Sequence, residues 1–508
     1  MSDSPTSVPR WREAVIYQIY PRSFCDTNGD GIGDLNGIRR RLTYLAWLGV
    51  DAIWLSPIFS SPMRDFGYDV SNYFDVDPIF GSLDDFAHLI HEAHDLGIRV
   101  ILDWVPNHTS SDHPWFVDAR SSRESVHRNW YIWRDEAPDG SLPNNWIRAW
   151  SDESVWTLDE STSQYYLHMF LPSQPDLNWA NPSVRDAMVE TLRFWLDMGV
   201  DGFRMDVVHA LGKDIDRDDP EDLRMIGHTP LNDVAVTHEY LREIREVLDE
   251  YSRDRVAVGE VYLLDPSRVA TYFGKDDELH LSFNFQSIFT PWRANAWLET
   301  IRKAEEALNP VGAWPTWVMS NHDNPRVATR LGGQDRVRAA LVLLLSLRGT
   351  AFLYAGEELG LEDALIVPER VVDPGGRDGC RAPIPWSMGE HHGWDENAWL
   401  PFGERASALS VEAQERDSSS TLHMVRQLLA LRRASTPLRL GALRNLHVEG
   451  DILVFEREWE GSVVRVVVNF AKSPSPIDTS TGTVLFASET LTDRTHLNAN
   501  SALLIQVS

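Results

Sequence analysis

Gly202-Phe203-Arg204-Met205-Asp206 is where the sequence most clearly concentrates groups able to do chemistry. The stretch Met198 to Phe203, apolar except for Asp201, reads as a buried strand ending on two charged side chains. Strand alternation sends Arg204 and Asp206 to one side and Met205 to the other. An arginine beside an aspartate keeps that carboxylate ionised and aimed, as a nucleophile requires. An isolated R-x-D is more often a structural ion pair, so its company decides. Other apolar runs end in the same manner: one on Asp103-Trp104-Val105-Pro106-Asn107-His108, one on Glu260, one on Asn321-His322-Asp323. Asp206, Glu260 and Asp323 would then converge, flanked by His108, His322 and Arg204. Crowded buried acids are costly unless function needs them. A nucleophile, a proton donor and a third acid beside a cationic transition state are the equipment of retaining glycoside hydrolysis.

A second constellation is Asp26-Thr27-Asn28-Gly29-Asp30-Gly31-Ile32-Gly33-Asp34. Oxygen-bearing side chains recur at nearly every second position, and the glycines permit a tight loop. This is the spacing of a hard-cation loop, with Asp26, Asn28, Asp30 and Asp34 binding by side chain and Ile32 by its carbonyl. Gly37 stands where an EF-hand places its bidentate glutamate, so the loop is not an EF-hand. The expected occupant is a structural divalent cation, Ca2+ or Mg2+. No organic cofactor is expected.

The elements that must position these residues follow a regular alternation. Ala14–Tyr20, Asp51–Leu55 and Arg99–Asp103 read as strands, separated by helical stretches at Leu35–Leu48 and Leu83–Leu96. Strands alternating with helices of a dozen residues signal βαβ units on a parallel sheet. The alternation stops between His108 and Asn178, a segment too long for a loop and read as an inserted domain. Asn181 and Pro182 then open a helix as N-cap and first residue. The strand before Arg204 follows, then Val256–Gly259, Leu281–Phe285, Thr316–Met319 and Ala351–Tyr354, with helices near 231–250, 292–308, 335–348 and 421–434. Eight such units make a (β/α)8 barrel, whose functional residues sit where its strands end. After Pro437 come β runs at Ile452–Phe455, Val463–Val468 and Ala502–Val507, a C-terminal antiparallel β domain. The expected division is barrel 1–107, inserted domain 108–178, barrel 179–436 and β domain 437–508.

Acidic residues outnumber basic ones by 76 to 47, a net charge of −29, which argues against a nucleic-acid or anionic-membrane partner. The polar start, Met1 to Arg10, has no apolar leader core, and no stretch reaches transmembrane length. Cys25 and Cys380 alone make neither a disulfide framework nor a metal cluster. The expectation is a cytoplasmic protein, monomer or homodimer, whose partner is a small sugar.

The segments at Asp103–His108, Gly202–Asp206, Gly259-Glu260 and Asn321–Asp323 resemble, in order, the four signature regions of the α-amylase superfamily (glycoside hydrolase family thirteen). Gln174-Pro175-Asp176-Leu177-Asn178 resembles a fifth motif, that of its α-glucosidase and oligo-1,6-glucosidase branch. The resemblance implies a barrel, a domain inserted after strand three and a C-terminal β-sandwich. It implies Asp206 as nucleophile, Glu260 as general acid/base and Asp323 as the third carboxylate. His108 and His322 would hydrogen-bond the terminal glucose, and Arg204 would orient Asp206. Asp65 and Tyr68, in Asp-Phe-Gly-Tyr-Asp, would close the pocket's end. Arg381, in Gly379-Cys380-Arg381-Ala382-Pro383-Ile384-Pro385-Trp386, would face Asp65 there, limiting the enzyme to single glucosyl units. The Asp26–Asp34 loop also matches this branch, as a structural metal site. Phe170 and other aromatics of the inserted domain would line the acceptor side.

Some positions depart from the branch. Val207 is similar to 1,6-cleaving members, yet Val207-Val208-His209-Ala210 lacks their asparagine at the third position. The segments Arg377–Arg381 and His280–Phe285 are more similar to bacterial, especially actinobacterial, α-glucosidases. Sucrose isomerases carry R-L-D-R-D after the H-D motif, whereas here Arg330-Leu331 is followed by Gly332-Gly333. The resulting expectation is a retaining, exo-acting α-glucosidase with transglucosylation as a second activity. The alternatives are an α-glucosyltransferase, a trehalose-synthase-type isomerase and a non-catalytic transporter-associated scaffold. The scaffold is disfavoured by the three carboxylates and the missing membrane span.

Overall fold

The computed structural model describes residues 8–219, 231–395, 398–480, 482–491 and 495–507. Of the polar start, residues 1–7 lie outside the described residues. Eight short strands form one parallel sheet: β1 (Val15–Ile19), β2 (Ala52–Leu55), β3 (Arg99–Trp104), β4 (Gly202–Met205), β5 (Val256–Gly259), β6 (Leu281–Ser282), β7 (Thr316–Val318) and β8 (Thr350–Tyr354). Their order is β6-β5-β4-β3-β2-β1-β8-β7, so neighbours in sequence pair everywhere except between β6 and β7, and β1 meets β8. Between β6 and β7, side chains take over from the ladder. The Thr316 hydroxyl donates to Ser282 O (2.6 Å) and accepts from Asn284 N (3.1 Å), and Ser287 donates to Val318 O (2.6 Å). The barrel is thereby closed around its circumference.

Helices follow the strands: α1 (Leu35–Leu48), α2 (Leu83–Asp95), α3 (Pro182–Asp197), α4 (Thr237–Asp249), α5 (Pro266–Thr271), α6 (Ala294–Leu308), α7 (Gln334–Ser346) and α8 (Thr421–Ala434). Their ends have local causes. Asp34 caps α1 by accepting from Gly37 N, a capping box of Ser82 and Asp85 opens α2, and Asn181 accepts from Ser183 N to start α3. Residues Val337 and Ala339 to Ser346 of α7 are buried on every face, with helix α8 and the C-terminal sheet packed against them.

Two barrel strands, β4 and β6, differ from the sequence reading by more than one residue at an end. Strand β4 begins at Gly202 rather than Met198, which ends the preceding helix. Asp201 belongs instead to the opposite mouth, where His94 (2.7 Å), Arg99 (2.7 Å), Arg255 (3.0 Å) and Val100 N (2.9 Å) surround its carboxylate. Only Leu281–Ser282 of the expected sixth strand pairs, since the chain turns into a helix at Gln286–Phe289.

Between β3 and α3 lie a short helix (Pro114–Ala119) and a three-stranded antiparallel sheet with Gln164–Leu167 between Trp133–Arg134 and Trp156–Asp159. Bridges His108–Asp176 and Tyr131–Leu177 tie this segment back to the end of β3. The C-terminal sheet comprises β9 (Ala442–Glu449), β10 (Ile452–Trp459), β11 (Ser462–Asn469), β12 (Gly482–Ala487) and β13 (Ser501–Val507), in the order β9-β10-β11-β13-β12. Its second layer is a ribbon of Ser475–Pro476 and His496–Leu497, with Leu497 and Ile477 packed on Ile452, Val467, Leu503 and Ile505. No helix among the described residues is long and apolar enough to cross a membrane.

Candidate active site

Parallel register brings the acidic strand ends to one level. Asp103 of β3 lies beside Arg204 of β4, and Arg204 beside Val258 of β5, two residues before Glu260. Gly202 makes the close approach of β4 and β5 possible, because a Cβ there would meet Val256 O at 2.4 Å. Backbone N–H groups fix the two residues that follow these strands: Asp206 donates to Trp104 O and Glu260 to Met205 O, both at 2.9 Å.

Arg204 is the hub. Its Nη1 donates to Asp206 Oδ1 (2.7 Å) and Asp103 Oδ1 (2.9 Å), and its Nη2 to Glu260 Oε2 (2.6 Å). All four groups are buried. Glu260 Oε2 also accepts from Val207 N at 3.2 Å, an amide turned inward by the left-handed backbone of Val207 (φ 36°). Burial pushes Asp206 well above the ordinary carboxylate range and Asp103 up to about 7; Arg204 opposes both shifts and the neighbouring acids reinforce them. Three carboxyls around one guanidinium cannot all be ionised near neutrality, so the cluster retains a proton.

His322 lies between Tyr68 and Tyr20, with stacked rings at 5.4 and 5.8 Å. Gln18 Nε2 is 2.7 Å from its Nδ1, and the Tyr68 hydroxyl is 2.6 Å from its Nε2. With the Gln18 amide donating, Nε2 carries the imidazole proton toward Tyr68, whose hydroxyl donates to Asp103 Oδ2 at 3.0 Å. Burial lowers His322 to about 3 and His108 to about 4, so both rings stay neutral. Nδ1 of His108 faces the Asn107 amide (3.1 Å), and Nε2 faces Tyr68 O (3.1 Å) and Gln174 Nε2 (3.2 Å).

Asp323 is the most accessible of the acids, its side chain 26% exposed. Burial raises it, but its neighbours His322, Arg377, Arg381 and Arg204 outweigh that effect and hold it well below the usual carboxylate range. Arg377 Nη1 donates to Asp323 Oδ1 (2.8 Å) and Nη2 to Asp65 Oδ1 (2.7 Å), while Gln174 Nε2 donates to Asp65 Oδ2 (3.0 Å). This corrects the expected Asp65–Arg381 pair. Arg381 is wholly buried and spent on Asp373 Oδ1 (2.9 Å), His322 O (2.8 Å) and Asp323 Oδ1 (3.2 Å). It braces the turn behind the wall, and Arg377 faces Asp65.

Three further residues were not assigned roles from sequence. Gln174 stands inside the fifth motif, Gln18 lies within a strand of hydrophobic pattern, and Lys213 follows the loop after β4. Lys213 is a buried ammonium whose Nζ lies 2.8 Å from Asn107 Oδ1, 2.6 Å from Ala210 O and 3.1 Å from Asp176 Oδ2. It joins the end of β3, the loop after β4 and the inserted segment.

In the Asp26–Asp34 loop, Asp26 accepts from Asn28, Gly29 and Gly31 amides (3.0, 2.9 and 2.9 Å), and Asn28 and Asp30 cap Asp30 N and Ile32 N (2.9 and 2.8 Å). Asp34 accepts from Thr27 and Gly37. Among the described residues, no group of three or more His, Cys, Asp or Glu side chains is gathered as a metal cluster. The oxygen donors nonetheless keep lone pairs beyond these bonds, and their types suit a hard cation.

A model of the α-amylase catalytic domain matches residues 18–441. A probable α-glucosidase of Rhizobium meliloti (strain 1021) is 43% identical over 500 residues, covering 91% of this chain and 89% of that protein. An oligo-1,6-glucosidase of Parageobacillus thermoglucosidasius is 36% identical over 514 residues, 91% and 90% of the two chains. Among solved structures, the α-glucosyl transfer enzyme XgtA superposes with a TM-score of 0.92 at 37% identity, over 99% of this chain and 100% of that one.

Proposed function

The chain belongs to the α-amylase family of glycoside hydrolases, and from that premise we propose that it is a retaining, exo-acting α-glucosidase. It would release terminal non-reducing α-linked glucose from short oligosaccharides such as maltose. The observation that carries this reading is the Arg204 fork, which holds Asp206 on one arm and Glu260 on the other. Two carboxyls gripped by one guanidinium suit the closely spaced pair of the retaining class rather than the wider gap that houses a water. With the cluster's shared proton on Glu260, Asp206 attacks the anomeric carbon as a carboxylate while Glu260 donates that proton to the departing glycosidic oxygen. The bond to the leaving sugar breaks as the glucosyl–Asp206 ester forms. Water, deprotonated by Glu260, then returns the sugar with its original anomeric configuration. Asp323, kept ionised by its arginines, opposes the positive charge of the oxocarbenium-like state. Tyr68, His322 and His108 offer neutral, oriented hydrogen-bonding groups to the glucose hydroxyls.

The glucosyl ester can be captured by a sugar instead of water, so transglucosylation belongs to the same reading. The fold match to an α-glucosyl transfer enzyme favours that second activity. The Asp26–Asp34 loop would hold a divalent cation through Asp26, Asn28, Asp30, the Ile32 carbonyl and Asp34, as loop scaffolding. Buried, unpaired Cys25 and Cys380 suit a reducing cytoplasm. The test is product analysis of wild type and Asp206→Ala on maltose, isomaltose, sucrose and trehalose. Glucose release that disappears in the variant is expected, and the panel fixes the linkage. Undiminished release by the variant overturns the assignment, and trehalose made from maltose moves it to isomerisation.

A further inference from the structure

Trp150 stands where no requirement of the core places it. It lies on the inserted segment, half exposed, with its backbone in the left-handed region (φ 61°), an uncommon conformation for a bulky residue. Such outliers persist where the surroundings enforce them, and they gather at functional sites. The enforcing contacts are visible. Ala149 N donates to Met169 O (2.9 Å), which sets Trp150 beside Phe170 with ring centroids 5.4 Å apart. Phe170 in turn packs on His108 at 5.2 Å. On its other side, the Trp150 ring lies 4.6 Å from the guanidinium carbon of Arg377.

That guanidinium is the residue joining Asp65 to Asp323, and it also binds Asp373 through Nε and Nη2. Four of its five N–H donors are therefore committed to carboxylates, which leaves its faces for aromatic contact. Trp150 occupies one face, and only 9% of the Arg377 side chain remains exposed. A flat ring over a paired guanidinium adds a cation–π attraction and keeps water from the ion pairs beneath, where a lower local dielectric strengthens them.

We propose that Trp150 is a positioning residue of the pocket's closed end. It clamps Arg377 between Asp65 and Asp323, and thereby enforces removal of single terminal glucosyl units. The inference rests on the α-glucosidase reading above. It joins a residue of the inserted segment to one of the loop after β8, so the selection for chain ends is shared between the two.

The experiment compares wild type, Trp150→Ala, Trp150→Leu and Trp150→Phe on two substrates. One is p-nitrophenyl α-glucoside. The other is p-nitrophenyl α-maltoheptaoside with its terminal O4 and O6 capped by an ethylidene group. Wild type should cleave only the first. In Trp150→Ala and Trp150→Leu, KM for the glucoside should rise ~3- to 30-fold, the span a cation–π contact is worth. That KM should rise further between about 0.05 and 0.5 M NaCl, because the exposed ion pairs are screened. Both variants should begin to release p-nitrophenol from the capped chain, and Trp150→Phe should restore wild-type behaviour. Variants that match wild type in KM, salt response and rejection of the capped chain overturn the proposal. A wild type that is inert toward the glucoside overturns the glucosidase reading and the proposal with it.

Discussion

One guanidinium serving three carboxyls sets the chemistry of individual residues here. Arg204 supplies one positive charge to Asp103, Asp206 and Glu260, so the cluster's proton is held by an excess of negative charge. Asp103 contributes to that excess without a place in the bond-making steps. Its carboxyl, raised to about 7 by burial, loses its proton as the pH climbs through that value. The cluster then becomes more anionic and holds its remaining proton harder. Replacing Asp103 by Asn removes one negative charge, so the remaining acid should release its proton sooner. The basic limb of the kcat/KM–pH profile should move to lower pH by about one unit, the scale of a nearby charge. An unmoved limb would show that Asp103 has no electrostatic hold on the proton donor. At this scale the motifs pointed to residues that the fold brings onto one guanidinium, as with Asp206 and Glu260. The sequence was ambiguous where two arginines stood four apart. Arg377 and Arg381 flank the short 3-10 turn Asp378–Arg381, and nothing in the order of residues says which reaches Asp65.

Elements succeeded in the reading where local chemistry fixes their ends. Asp34, Ser82 and Asn181 start α1, α2 and α3 because each side chain accepts from a free backbone amide. The start of β4 shifted because Asp201 answers to a distant ion cluster rather than to its own strand. Strand β9 mixes half-exposed apolar and polar residues without an apolar run, and β12 carries only the short half-exposed run Val484 to Ala487, too brief by itself to mark a strand. How the inserted segment meets the barrel was likewise hidden, since Lys213 and Asp176 are far apart in the chain. Lys213→Met leaves the buried Asp176 charge unpaired, which should cost about 3–5 kcal/mol in denaturant unfolding. Because Ala210 O loses its donor as well, kcat should fall with it. Adding Asp176→Leu should recover part of the stability, and strict additivity of the two losses would contradict a direct coupling.

At the scale of the whole molecule, the barrel was readable as eight strand–helix units, and its seam was not. Thr316 and Ser287 close β6 to β7 by side chain, a contact with no periodic signature. The net charge of −29 favours any bound cation in general, so a test of the Asp26–Asp34 loop must separate specific from diffuse binding. Adding EDTA should lower Tm by a few degrees, millimolar Ca2+ or Mg2+ should restore it, and Asp30→Ala should remove the response. Binding to the folded state alone accounts for such a shift. A wild-type Tm indifferent to chelator and cation would set the metal reading aside.

The central claim is that Asp206 and Glu260, on the two arms of Arg204, retain anomeric configuration. The direct measurement is proton NMR of p-nitrophenyl α-glucoside hydrolysis, followed within the first minutes, before mutarotation mixes the anomers. The account predicts α-glucose first, with the β signal growing in later, and neither signal from Asp206→Ala. Initial β-glucose, or wild-type turnover by that variant, would contradict it.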